Sequence, residues 1–159
     1  MTKKNTALLT IVLLMAFLVG CGPKAPDVDW TLKISGEVTT PLELSFADLA
    51  AMDQIELKDI LMEKTTGDDL ITSWSGVSLD EILTKAGADA DYVSITAIAS
   101  DGYSIEITKE ELTGAIIALK DGEEWIAEIE TDKGPIRMVA PSTPANRWVY
   151  AINEIQVNK

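Results

Sequence analysis

Residues 93–107 read VSITAIASDGYSIEI. Val93, Ile95, Ala97 and Ala99 alternate with Ser94, Thr96, Ile98 and Ser100, the two-residue period of a strand with one face buried. Asp101-Gly102 then offers a two-residue turn, a pair that tolerates the positive φ angles of a type I′ hairpin. Tyr103, Ile105 and Ile107 form the return strand. Strands joined this closely can only run antiparallel.

Working outward, Ile116–Leu119, Asp121-Gly122 and Trp125–Ile129 suggest a second hairpin, with further strands at 136–140 and 152–157. Upstream, Trp30, Leu32 and Ile34 alternate with Thr31, Lys33 and Ser35 until Gly36, and 41–44 forms a second short strand. Three capping boxes punctuate this pattern: Ser45 with Asp48, Ser78 with Glu81, and Thr108 with Glu111. The first opens a brief helix through Phe46, Leu49 and Met52, the second a helix through Leu79, Ile82 and Leu83 that stops at Gly87, and the third a turn of helix around Leu112. Thr65–Asp69 is read as a polar loop before Trp74. The predicted class is α+β, a mixed, mostly antiparallel sheet with short inserted helices.

The N-terminus carries a different signal. Lys3 and Lys4 precede an apolar run over 7–19, followed by Leu18-Val19-Gly20-Cys21. Such a run is too short for a permanent span, which needs about 20 residues, and suits the core of a signal peptide. The segment resembles the bacterial lipobox, in which the cysteine sulfur takes a diacylglycerol. The expected organisation is a lipoprotein signal peptide over 1–20, a lipidated tether over 21–29 beginning at Cys21, and one domain over 30–159, exported and lipid-anchored to the cell membrane or to an outer membrane. Removing residues 1–20, which hold two lysines and no acid, lowers the basic count from 13 to 11 against 26 acids, a formal charge of −15. That charge repels phosphate backbones and anionic headgroups, so nucleic acid is excluded as a partner and attachment must come from the lipid.

Cys21 is the sole cysteine and histidine is absent. With that sulfur lipidated, the domain has no thiol and no imidazole. A Ser-His-Asp triad, a cysteine nucleophile, His/Cys zinc sites, haem with such axial ligands and an iron–sulfur cluster on the domain's own cysteines are all excluded. Carboxylates, hydroxyls, amides, lysine and arginine remain. Glu123, Glu124, Glu128, Glu130 and Asp132 gather near the second hairpin and Asp68 adjoins Asp69, but none matches EF-hand spacing and a solvated face accounts for them.

Two stretches stand out. Trp74-Ser75-Gly76-Val77 places a tryptophan where it either lines a pocket or covers the core. Gly134–Pro141 sets Arg137 on an otherwise apolar strand, followed by a loop with Ser142, Thr143, Pro144, Asn146 and Arg147. Arginine binds phosphate or carboxylate through a planar fork, with hydroxyl and amide donors completing such a site. Pairing of both arginines with the abundant acids is the alternative.

Leu32–Gly36 with Pro41–Leu49, then Trp74–Val77 leading to Leu79 and Leu83, then Asp101-Gly102-Tyr103, and finally Gly134–Arg137 through Arg147-Trp148-Val149 and 152–157, together resemble the oxidoreductase molybdopterin-binding domain typified by sulfite oxidase. The resemblance covers about Trp30 to Val157. It implies a pocket for a pterin cofactor whose phosphate is held by basic and hydroxyl side chains. Arg147 before Trp148 matches the family's basic-residue–tryptophan pair, and Arg137 a less restricted position. The family's metal-ligating cysteine, upstream of Trp74, has no counterpart in Ile55–Ser73, where Met62, Glu63 and Lys64 stand in the neighbourhood; the histidine of many enzymatic members is also absent. The expected function is a non-redox module binding a pterin-like or other small anionic ligand at Trp74, Arg137 and Arg147. Two alternatives stay open: a molybdopterin-dependent oxidoreductase without a cysteine ligand, working with an envelope redox partner, and a structural or protein-interaction lipoprotein.

Overall fold

The computed structural model describes residues 24–159, so the predicted signal peptide and Cys21 lie outside the described residues. In chain order the elements are β1 (Thr31–Gly36), β2 (Leu42–Ser45), α1 (Phe46–Ala51), β3 (Gln54–Met62), β4 (Leu70–Ser78), α2 (Leu79–Lys85), β5 (Ser94–Ala99), β6 (Ser104–Thr108), β7 (Ile116–Asp121), β8 (Glu124–Trp125), α3 (Ile126–Ile129), β9 (Arg137–Val139) and β10 (Ile152–Asn158), with a 3-10 turn at Ala145–Arg147. The α+β class read from the sequence is the class observed.

The strands form two five-stranded sheets rather than one. The first runs β2-β1-β10-β5-β6, antiparallel except where β10 lies parallel to β1. The second runs β3-β4-β7-β8 with β9 also on β7, and is antiparallel throughout. Leu32 and Ile34 of β1, Ile95 and Ala97 of β5 and Ile152, Ile155 and Val157 of β10 face the shared core. Ile116 to Leu119 are buried at every position, as a central strand covered on both faces requires. Val93, placed by its alternation at the head of β5, is 56% exposed and outside the strand.

The capping box at Ser45 forms in full: its hydroxyl accepts from the Asp48 amide at 3.1 Å, and the Asp48 carboxylate accepts from the Ser45 amide at 2.9 Å. That at Ser78 does not form. Ser78 still pairs with Ile116 as the last residue of β4, and the Leu79 amide donates to the Ala115 carbonyl instead, which satisfies the helix start without a side chain. Thr108 and Glu111 make their reciprocal bonds, but over a turn.

Two expectations are corrected. The 98–104 hairpin closes through three residues, Ser100, Asp101 and Gly102, with positive φ only at Gly102; this is the type I turn with a following left-handed glycine, not type I′. The segment 126–129 is a single turn of helix rather than a continuation of the strand, with Ile126 buried at its start beside Trp125. Thr65–Asp69 is the polar loop read from the sequence, and it forms the tip of a long hairpin whose strands β3 and β4 that reading did not anticipate. At the N-terminus, Ala25 and Val28 pack half-buried against the core and the Trp30 indole donates to the Ile152 carbonyl at 3.0 Å, so the docked chain begins before Trp30.

Candidate functional site

Gly76 sets the geometry. A Cβ there would lie 2.0 Å from the Ile117 carbonyl oxygen, so only glycine lets β4 approach β7 at the register shift between Ser75 and Gly76. That approach leaves Trp74 opposite Asp121 and 2% exposed, its indole donating to Thr72 Oγ1 at 2.9 Å. Trp148 meets it edge-on, with centroids 6.2 Å apart, and is fixed by donating to the carbonyls of Ala140 (2.8 Å) and Thr143 (3.2 Å).

Arg137 projects between them. It pairs with Ala118 of β7 on one side and bridges to Tyr150 on the other. Its guanidinium carbon lies 3.7 Å from the Tyr150 ring centroid, 5.0 Å from Trp74 and 5.2 Å from Trp148. Nη1 lies 4.0 Å from Met62 Sδ at the end of β3. The residue is 3% exposed, its Nε is buried with no hydrogen-bond partner, and among the described residues no carboxylate oxygen comes within 4.0 Å of it. Burial depresses its proton affinity, countered by Tyr150, Glu130 and Asp121 nearby, yet an arginine keeps its charge at any working pH.

Two carboxylates flank this aromatic box. Asp121 is held above the ordinary carboxylate range first by burial and then by Glu130, with Arg137 opposing the rise. Glu130 accepts from Lys133 at 3.3 Å through Oε1 and leaves Oε2 buried without a partner. Lys133 in turn stands 5.0 Å from the Tyr150 ring. The box is a stacked cation within a rim of mixed charge.

Arg147 does not join it. Its Nη2 donates to the Glu106 carbonyl (2.9 Å) and to Glu111 Oε2 (2.8 Å), on the β6 side of the fold. The hydroxyls of the adjacent loop are spent as well: Ser142 donates to the Thr113 carbonyl at 3.1 Å and Thr143 to that of Ala140 at 2.9 Å. Between that loop and the end of β3 lies a cleft of about 380 Å³, lined by Ile60, Leu61, Pro141 and Pro144 and carrying the Glu63 carboxylate rather than a cation. The structure thus unites Trp74 with Arg137 and sets Arg147 apart in an ion pair. Sequence reasoning had Met62 only as a residue near the position of the absent cysteine and missed Tyr150 and Asp121; Tyr150, three residues after Arg147 and two after Trp148, was the available signal.

Among the described residues, no cluster of three or more His, Cys, Asp or Glu could hold a metal ion, and no helix is long and apolar enough to cross a membrane. Asp69 instead caps the β3–β4 tip, accepting from the Lys64 amide at 2.9 Å.

A search of curated proteins finds no match. Among solved structures, the chain is similar to the sulfane dehydrogenase SoxCD from Paracoccus pantotrophus, at 19% identity and a TM-score of 0.73 over 86% of this chain. The similarity spans 40% of that longer chain, and at this identity it establishes the fold. The family described as oxidoreductase molybdopterin binding domain matches residues 22–159. With the fold shared over 86% of its length and the family match running from 22 to 159, this chain belongs to the oxidoreductase molybdopterin-binding domain family.

Proposed function

We propose that this family member is a lipid-anchored envelope protein whose domain binds a small anionic ligand at Arg137 and performs no redox turnover. The observation that carries the reading is Arg137 itself: a buried guanidinium, stacked on three rings, with an unpartnered Nε and no bound carboxylate. An uncompensated buried charge is costly, and a small anion is the simplest group that would complete it. Met62, half-buried at the end of β3, is the side chain that must move to admit one.

The molybdenum cofactor that the family name implies fits these residues poorly. Residues 22–159 offer no thiolate for the metal, the loop hydroxyls donate to backbone carbonyls, and Arg147 is occupied by Glu111. Trp74 and Trp148 are buried against each other, so the half-buried Tyr150 is the ring that a metal-free ligand at Arg137 would meet.

The test uses protein extracted from the membranes of its native host. Molybdenum and tungsten by mass spectrometry and released pterin by fluorescence should be far below stoichiometric, while inorganic phosphate or sulfate should raise the melting temperature of the wild type and not of Arg137→Met. Stoichiometric metal would establish the oxidoreductase without a cysteine ligand, and an anion response that survives Arg137→Met would refute the site. Cys21→Ser should release the protein from the membrane fraction; retention there would overturn the lipid anchor.

A further inference from the structure

We infer that Met62 is an oxidation site whose sulfoxide product is held by Arg137. The described residues contain three methionines, Met52, Met62 and Met138. Met138 is fully buried, beyond the reach of an aqueous oxidant, whereas Met52 and Met62 are half-buried. Among the hydrogen bonds of the described residues, the contact from Arg137 Nη1 is made to the sulfur of Met62. Met52 at the end of α1 is a methionine of similar exposure without that contact, and is replaced by leucine in the test so that the effect of oxidation belongs to Met62.

A thioether is a weak acceptor, and 4.0 Å leaves the guanidinium poorly satisfied. A peroxide changes that. The sulfur lone pair attacks one peroxide oxygen, an S–O bond forms as the O–O bond breaks, and the departing hydroxide takes the proton of the transferred hydroxyl and leaves as water; sulfur loses two electrons and the peroxide gains them. The sulfoxide oxygen is a strong, dipolar acceptor that extends from sulfur into the gap before the guanidinium. Methionine oxidation ordinarily loosens a fold by turning an apolar side chain polar. Here the polar product meets a buried cation short of an acceptor, so the sign reverses. Because Met62 with Leu70 is the last pair of the β3–β4 ladder before its connecting loop, its capture also pins the turn end of that hairpin. The oxygen would fill the place of an anion as well, a consequence that rests on the proposed function.

The experiment treats membrane-extracted Met52→Leu protein with hydrogen peroxide, maps the modified peptides by mass spectrometry and measures melting. Met62 should oxidise well ahead of Met138, and the melting temperature should rise by about 3–12 °C, the shift expected of one hydrogen bond to a charged group in a domain of this size. Met62→Gln, which presents an amide oxygen at comparable reach, should reproduce the rise without oxidant, while Met62→Leu should not. A fall in melting temperature on Met62 oxidation, or a Met62→Gln no more stable than Met62→Leu, overturns the inference. If the rise occurs in a protein whose reduced form ignores phosphate and sulfate, the oxidation site stands and the anion reading falls. If the oxidised protein still responds to those anions as the reduced one does, competition for Arg137 is refuted.

Discussion

Replacing Arg137 by methionine separates a site under functional constraint from a structural device. The guanidinium is 3% exposed, and removing such an ion from water costs several kcal/mol even after relaxation. Its returns are stacking on Tyr150 at 3.7 Å and looser contacts with Trp74 and Trp148 at 5.0 and 5.2 Å, at about 0.5–2 kcal/mol apiece. With no bound carboxylate the balance is close to zero or unfavourable. Methionine keeps the length and the contact with the rings while removing the charge. Arg137→Met is therefore expected to be unchanged or up to about 2 kcal/mol more stable, read in urea as a midpoint raised by as much as about 1 M at constant slope. Arg137 is also the one group that holds Asp121 down, so Arg137→Met with Asp121→Asn is the cleaner comparison. A loss of more than about 2 kcal/mol in both backgrounds would mean that the aromatic box exists for stability, and the case for an anion would lose its foundation.

Ser45→Ala should cost about 1 kcal/mol by denaturant melts, whereas Ser78→Ala should stay within about 0.5 kcal/mol, because one capping box is made and the other is not. Gly76→Ala should destabilise by more than about 3 kcal/mol, since its Cβ meets backbone on β7; a soluble, normally melting variant would refute the close approach. Asp48 is held low by the Ser45 hydroxyl, Glu111 by the Thr108 amide, Glu154 by Gln156 and Asp89 by Lys159. Their stabilisation is complete above the ordinary values of 3.8 and 4.5 and is lost as pH falls through the lower folded values, so melting temperature should drop steeply only in that acidic range. Asp121 runs the other way: raised by burial, it favours the fold below 3.8 and opposes it as pH rises through its folded value. Asp121→Asn should stabilise at neutral pH and do nothing at about pH 3; equal gains at both would refute the assignment.

Alternation read from residues 93–107 located β5 and β6, and the apolar run at 116–119 located β7, because both encode burial directly. The β3–β4 hairpin escaped for a physical reason. Leu57, Ile60 and Met62 are the half-buried positions of β3, and the bulge between Leu57 and Ile60, where Asp59 takes φ 51°, shifts the phase of the pattern midway. No fixed two-residue period survives that shift. Trp74 and Arg137 were legible as unusual residues, and their meeting depends on the β4–β7–β9 pairing, which one sequence does not disclose. For Arg147 the two readings, anion site or ion pair, differ only by the position of Glu111, 36 residues away.

The parallel pairing of β1 with β10 has a consequence for how the protein comes into being. Lys33 lies opposite Glu154, and β10 sits between β1 and β5 in the middle of the sheet. β10 is the last of the described strands in chain order and yet an interior one, so the first sheet cannot close until residues 152–158 are free to join it. Contacts so distant along the chain fold slowly. A chain built this way keeps its first sheet open until β10 joins it, so closure of that sheet waits on a strand far along the chain from its partner β1.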